Sequence, residues 1–339
     1  MAALVVIVVA AVLLIPRFVD VQQYKPRMEQ MVSQATGRPF SLGEDIKLSL
    51  FPWVGVSLSD IQLGNPPGFK EPSFVSVRSF NVKVKLLPLL SRDIQVKEFV
   101  MDGPRLVLVK GANGVGNWEN LGPGPGAPGT QGADKATKPS SPETTTKGET
   151  APSTGLPVTA LKVDQFSVIH GSVEWHDRVQ KTSTTLSDVN LLLTDISLDG
   201  PVALDFSAQV DGNPVAVKGQ VGPVGNPPAQ GELPLNVTVK LLKEISLGIK
   251  GKVVDATTPM PRFQLALDLA SFSPRSLLKK LGKEDLLPAT DTFKQFSFKG
   301  NLSGTPSALS IADALMVLDE SRLSFSGAVK AFARPDIKF

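Results

Sequence analysis

Val202-Ala203-Leu204-Asp205-Phe206-Ser207-Ala208-Gln209-Val210 changes side-chain character at nearly every step. A period of two is the spacing of an extended strand, whose successive side chains point to opposite faces; a helix would scatter the same residues around its axis. Val202, Leu204 and Phe206 therefore mark an apolar strand face opposed by Asp205, Ser207 and Gln209. Working outward, the pattern repeats with Leu233, Leu235 and Val237, with Phe263, Leu265 and Leu267, and with Leu323 and Phe325. Asp211-Gly212-Asn213-Pro214, Gly222-Pro223 and Gly300 read as turns between strands, which predicts a meander. Pro274 to Leu281, capped by Ser273 and stopped by Gly282, predicts one short inserted helix. The expected fold is mainly β: a long antiparallel sheet of about fifteen strands, a number at which an open sheet must curl.

Toward the amino terminus the period persists, then breaks. Ile46, Leu48 and Leu50 alternate with Lys47 and Ser49, Val82 and Val84 alternate with Lys83 and Lys85, and Leu106 and Leu108 follow a Gly103-Pro104 turn. Lys83 and Lys85 read as solvated surface and protection of a sheet edge. Val21, Tyr24, Met28, Met31, Val32 and Ala35 recur at helical spacing, with Pro26 near the start and Gly37 past the end, predicting an amphipathic helix; the narrow stripe favours packing on the following sheet over a face that lies on the membrane or plugs the end of a β structure. Met1 to Ile15 is wholly apolar. It has no basic flank and no small-x-small cleavage pattern before Pro16-Arg17-Phe18, which favours an uncleaved anchor over a removed signal peptide. Gly122 to Thr154 holds almost only Gly, Pro, Ala, Ser, Thr and Lys, a composition unable to bury a core. Four segments result: 1–19, a membrane anchor; 20–122, a helix and sheet; 123–155, a disordered linker or insertion; and 156–339, a continuing sheet. The last of these stops within an alternating run at Asp336-Ile337-Lys338-Phe339, which reads as truncation.

The 339 residues carry a net charge of only +3, so no basic surplus calls for nucleic acid. With no Cys there is no disulfide, thiolate metal site or cysteine nucleophile, and two His leave little for a histidine-based site. Those two, in His170-Gly171-Ser172-Val173-Glu174-Trp175-His176-Asp177, share strand parity with Glu174. They would stand about 20 Å apart on an extended strand, so a polar strand face ending in a turn is expected instead of a metal site. Gly111-Ala112-Asn113-Gly114-Val115-Gly116 lacks the Lys-Ser/Thr of a phosphate loop and reads as a turn. Carboxylates are scattered, and Ser residues have no base within reach. No enzyme and no cofactor is expected.

Six landmarks occur in series: Tyr24-Lys25-Pro26 with Thr36-Gly37-Arg38-Pro39-Phe40; Asp45-Ile46-Lys47-Leu48-Ser49-Leu50-Phe51-Pro52; Asn65-Pro66-Pro67-Gly68-Phe69; Leu87-Pro88-Leu89-Leu90; Asp102-Gly103-Pro104; and Asn113-Gly114-Val115-Gly116-Asn117-Trp118. In order and spacing they resemble the amino-terminal region of the AsmA family of bacterial envelope proteins. His170 to Asp177 looks like that family's next turn-and-strand pair, and Arg334-Pro335-Asp336 like a later landmark. The resemblance implies a single-pass inner-membrane protein with a periplasmic body, related to bridge-like lipid-transfer proteins, that supports outer-membrane biogenesis. It implies phospholipid acyl chains as ligand and carries no catalytic residues. It leaves any outer-membrane or periplasmic protein partner unidentified. An apolar β-groove would hold the chains, with Val202, Leu204, Phe206, Leu233, Leu235, Val237, Phe263, Leu265, Leu267, Leu323 and Phe325 as candidates. The alternation alone does not distinguish a groove from a closed or sandwiched sheet with a dry core, and without the family likeness the dry core is the favoured outcome. An assembly or quality-control factor for outer-membrane proteins, working through an exposed strand edge, is the alternative function.

Overall fold

The alternating segments pair in the order in which they occur. A computed structural model describes residues 21–50, 52–86, 88, 95–119, 121, 162–225, 231–288, 290–330 and 336–338. The first element among the described residues is a 3₁₀ turn, Val21–Tyr24, which runs into helix α1, Lys25–Thr36. Strands β1 Phe40–Ser41, β2 Lys47–Ser49, β3 Trp53–Leu63, β4 Val75–Lys85, β5 Gln95–Asp102 and β6 Arg105–Lys110 follow. The second run comprises β7 Lys162–Asp177, β8 Thr182–Ile196, β9 Val202–Val210, β10 Asn213–Val221, β11 Glu232–Leu241, β12 Ile245–Val254 and β13 Arg262–Phe272. After helix α2, Pro274–Lys280, come β14 Phe296–Thr305, β15 Ala308–Leu318, β16 Ser321–Lys330 and β17 Asp336–Lys338. Ser273 caps α2 by accepting a hydrogen bond from the Ser276 N–H.

All seventeen strands join one sheet. From β7 to β17 every strand pairs antiparallel with its sequence neighbour, the expected meander. The expectation of a purely antiparallel sheet is corrected at one seam. β5 and β6 both run parallel to β7, end to end along it, because the chain crosses between β6 and β7 instead of turning back. Gly103-Pro104 is thus a joint within one line of chain, not a reversal. Gly300 is likewise no turn but the buried middle of β14. β4 lies between β3 and β5, so Lys83 and Lys85 do not guard an edge.

Bends are built into the sheet. Gly219 and Gly251 have φ of 155° and 158°, and a Cβ there would sit 2.1 Å from the Asn236 carbonyl oxygen and 2.0 Å from that of Gln264. Only a residue without a side chain lets the strands approach so closely, and such glycine kinks curve sheets. Register shifts between Lys299 and Asn301 and between Ile311 and Ala314 add bulges farther along.

The dry core is small and local. Leu42, Ile46, Phe74, Val77, Val107 and Val109 are buried together around β1 to β6, while from β7 onward only Ala208 and Ala314 are buried among the described apolar residues. A sandwich would bury its large side chains all along. No described helix is long and apolar enough to cross a membrane; the anchor expected over 1–19 and the linker expected over 123–155 lie outside the described residues.

Candidate apolar binding face

In a paired sheet, register partners point to the same side, so a side chain's face can be followed from strand to strand. One row runs Leu58, Phe80, Met101, Val168, Leu191, Phe206, Val217, Val239, Leu247, Leu269, Phe298, Met316 and Leu323, apolar at every step from β3 to β16. At roughly 4.8 Å per strand the row is about 60 Å long. A second row beside it links Val82, Phe99, Phe166, Leu193, Leu204, Gly219, Val237, Ile249 and Leu267.

All eleven sequence candidates stand on this face. Val202, Leu235 and Leu265 share a third row, Leu233 and Phe263 a fourth, and Phe325 follows Leu323 along β16. Sequence reasoning missed the intervening strands. β10, β12 and β14 carry Val217, Ile249 and Phe298 on the same face, and their alternation could have been found but for Gly219, Gly248, Gly251 and Gly300 within it. No member of the thirteen-residue row is fully buried, and Leu323 is 51% exposed. Neighbours within the sheet shield these side chains; among the described residues no second layer covers them. Aromatic contacts stiffen the part near the parallel seam, where Phe99 stacks on Phe166 at 4.9 Å and meets Phe80 edge-on at 4.7 Å.

The reverse face is wet. Cross-strand pairs Lys83 with Glu98 (2.6 Å), Lys218 with Asp205 (2.7 Å) and Lys299 with Asp268 (3.1 Å) lie on it. A cleft of about 430 Å³ opens there too, lined by Asp188, Asn190, Ser207, Gln209, Lys240 and Lys243. At one end of β5 and β7, Lys85 and Lys97 converge on Asp164 (2.8 and 3.1 Å). The Lys85 ammonium foremost, and then Lys97, hold that carboxyl below the usual range.

The two histidines stand apart on β7. His170, at φ 52° in a bulge, meets Asp102 at 2.9 Å, while His176 lies 3.5 Å from Glu174. Asp102 is lowered mainly by its hydrogen bond with His170, and Glu174 mainly by Arg105. Among the described residues no group of three His, Asp or Glu side chains is placed to hold a metal ion.

A polar clasp lies where β6 ends. Lys110 bridges to Gly116, folding residues 111–116 into the expected turn. Asn117, fully buried, accepts from the Val109 N–H and donates to the Val107 carbonyl and to Asn65 Oδ1, each at 2.8 Å. Asn65 in turn donates to the Glu71 carbonyl at 2.9 Å. Arg38, 3% exposed, donates to the Glu119 carbonyl and lies over the Phe74 ring; burial lowers its pKa. Trp118 stacks on Trp175 of β7 at 5.1 Å.

A profile of the AsmA family matches residues 1–322. The chain belongs to the AsmA family. It is also similar to the AsmA family protein YhjG of Escherichia coli (strain K12), 28% identical over 128 residues that cover 34% of the chain. The chain spans 18% of that relative's length. Three of the landmarks that carry the AsmA resemblance, around Arg38, Asn65 and Asn117, are the ones that meet in the clasp. They are structural residues of the fold, remote in sequence and joined by hydrogen bonds.

Proposed function

We propose that this AsmA protein is a non-enzymatic lipid carrier of the bacterial envelope: anchored in the inner membrane, with its body in the periplasm, it holds phospholipid acyl chains along its apolar face and supports outer-membrane biogenesis. The observation that supports this reading is the apolar row across thirteen strands, over which the described residues place no second layer. Hydrocarbon gains by covering such a face, at roughly 25 cal/mol per Å² of apolar area removed from water. Val, Leu, Ile and Phe offer no hydrogen bond that would single out one head group, so tails are gripped and heads stay in water.

An assembly factor working by strand addition finds less support. The edge at β2 is three residues long, which gives an incoming strand few backbone partners.

The test uses the full chain in phospholipid nanodiscs with a diazirine-bearing phospholipid. Photo-crosslinks are expected on peptides carrying Phe206, Leu235 and Leu265. Leu235→Asp with Leu265→Asp should cut crosslinking severalfold while the strand circular-dichroism signal and melting midpoint stay near parental. Unfolding of the double variant would mean a dry core; full crosslinking in a folded double variant would mean that lipid sits elsewhere. Either result defeats the reading.

A further inference from the structure

Helix α1 is amphipathic the wrong way round for a helix that packs on a sheet. On a 3.6-residue repeat Tyr24, Met28, Met31 and Ala35 fall in one stripe about 60° wide. Sequence predicts that this stripe, with Val21 and Val32 at its edge, packs inward, and of these Val32 alone is half-buried among the described side chains. Instead Tyr24 is 51% and Met31 61% exposed, Met28 and Ala35 are exposed too, and no residue of the helix is buried. The polar side does the docking: Glu29 Oε1 accepts from the Leu42 N–H at 2.8 Å, and Ser33 Oγ accepts from the Phe40 N–H at 3.0 Å. Glu29 and Ser33 lie opposite the apolar stripe, so β1 and the adjoining Leu42 hold the helix by its hydrophilic back and its apolar front faces away from the other described residues.

We propose that α1 lies in the plane of the inner-membrane surface, with Tyr24, Met28 and Met31 sunk into the boundary between head groups and acyl chains. Lys25 and Arg27 flank the stripe on its two sides, where cations reach lipid phosphates while their stems cover apolar surface. The sequence supplies the occupant as well. Only Pro16 to Asp20 separate the apolar run Met1–Ile15 from the helical turn at Val21, a reach of about 20 Å at full extension. A bilayer holding the first segment is therefore within reach of the second. The inference rests on the membrane placement, not on lipid carriage. It makes the amino-terminal end of the sheet a foot that fixes the body's orientation, where a bare anchor would leave it swinging on a tether.

The chain has no native Cys, so single labels are clean. Full chain carrying Met31→Cys or, as control, Gln30→Cys receives a bimane fluorophore and is reconstituted into vesicles of zwitterionic and anionic phospholipid. Expected is flotation with the vesicles, severalfold stronger quenching at position 31 by a lipid-borne nitroxide than by aqueous iodide, and the reverse order at position 30. In an Ala35→Cys chain that also carries Met28→Asp and Met31→Asp, the label should move to iodide exposure while flotation persists; these side chains are exposed, so the fold is spared. A chain that floats with position 31 open to iodide overturns the inference and leaves the anchor standing. A chain that does not float overturns both. A label shielded from both quenchers, with disulfide crosslinks between unlabelled Met31→Cys chains, would make a second copy the occupant and likewise overturn it.

Discussion

Asn117→Ala is the substitution whose cost can be worked most directly. The carboxamide is fully buried and makes three hydrogen bonds of 2.8 Å: one from the Val109 N–H, one to the Val107 carbonyl and one to Asn65 Oδ1. Val107 and Val109 are 3% and 0% exposed, so water does not replace the lost partner. Two orphaned buried backbone groups at roughly 1–2 kcal/mol each, with a small cavity, give a loss of about 3 kcal/mol. For a chain of this size that lowers the melting temperature by on the order of 5–10 °C. Asn65→Ala removes two part-buried bonds, the one from Asn117 and the one to the Glu71 carbonyl, and should cost about 2 kcal/mol. Asn117→Asp should be the worst of the three, because a buried acceptor then faces the acceptors of Val107 and Asn65. The assay is thermal melting by circular dichroism in mild detergent, with amide exchange at Val109 as the local probe. A melting point for Asn117→Ala indistinguishable from the parent, with Val109 still protected, would refute the assignment of the clasp as the lock on the end of β6.

Gly251→Ala should cost about 3 kcal/mol or more from strain at φ 158° and collision with the Gln264 carbonyl, whereas Gly248→Ala, whose nearest neighbour is 3.6 Å from the new Cβ, should melt within about 0.5 kcal/mol of the parent. Val107→Lys buries an unpaired charge and should unfold the amino-terminal core, while Leu247→Lys on the uncovered face should leave the melting curve nearly in place; limited proteolysis separates the two. Asp319 accepts from the N–H groups of Phe293, Lys294 and Gln295, and Asp177 from those of Val179 and Gln180, which lowers both pKa values. A lowered folded-state pKa contributes stability above the unfolded value that is lost as pH falls. Melting points should therefore drop as pH is lowered below about 4, and Asp319→Asn should flatten part of that drop.

The strands of the sheet were legible because period two is written locally, and so was α2, whose Ser273 cap and Pro274 start sit beside each other in sequence. What a strand pairs with is not local. Gly103-Pro104 looks like any reversal, and only the crossing from β6 to β7 makes the seam parallel. Glycines hid β12 from a reading based on side chains, since a kink that bends the sheet also deletes the side chain that would have marked the face. For α1 the spacing located the apolar stripe but not its direction, which Ser33 and Glu29 decide by bonding to β1 and to Leu42 just beyond it. Asn65 and Asn117 are 52 residues apart, and nothing local announces that they touch.

The row from Leu58 to Leu323 has a property that no enclosed pocket shares. Its chemistry repeats with every strand, so a hydrocarbon chain resting on it meets nearly the same surface one step of about 4.8 Å farther along. Position along the row carries little energy difference, and without wells there are no deep traps. Such a surface sets no stopping point of its own: occupancy is decided by what stands at the two ends, and net drift follows whichever end is richer in ligand.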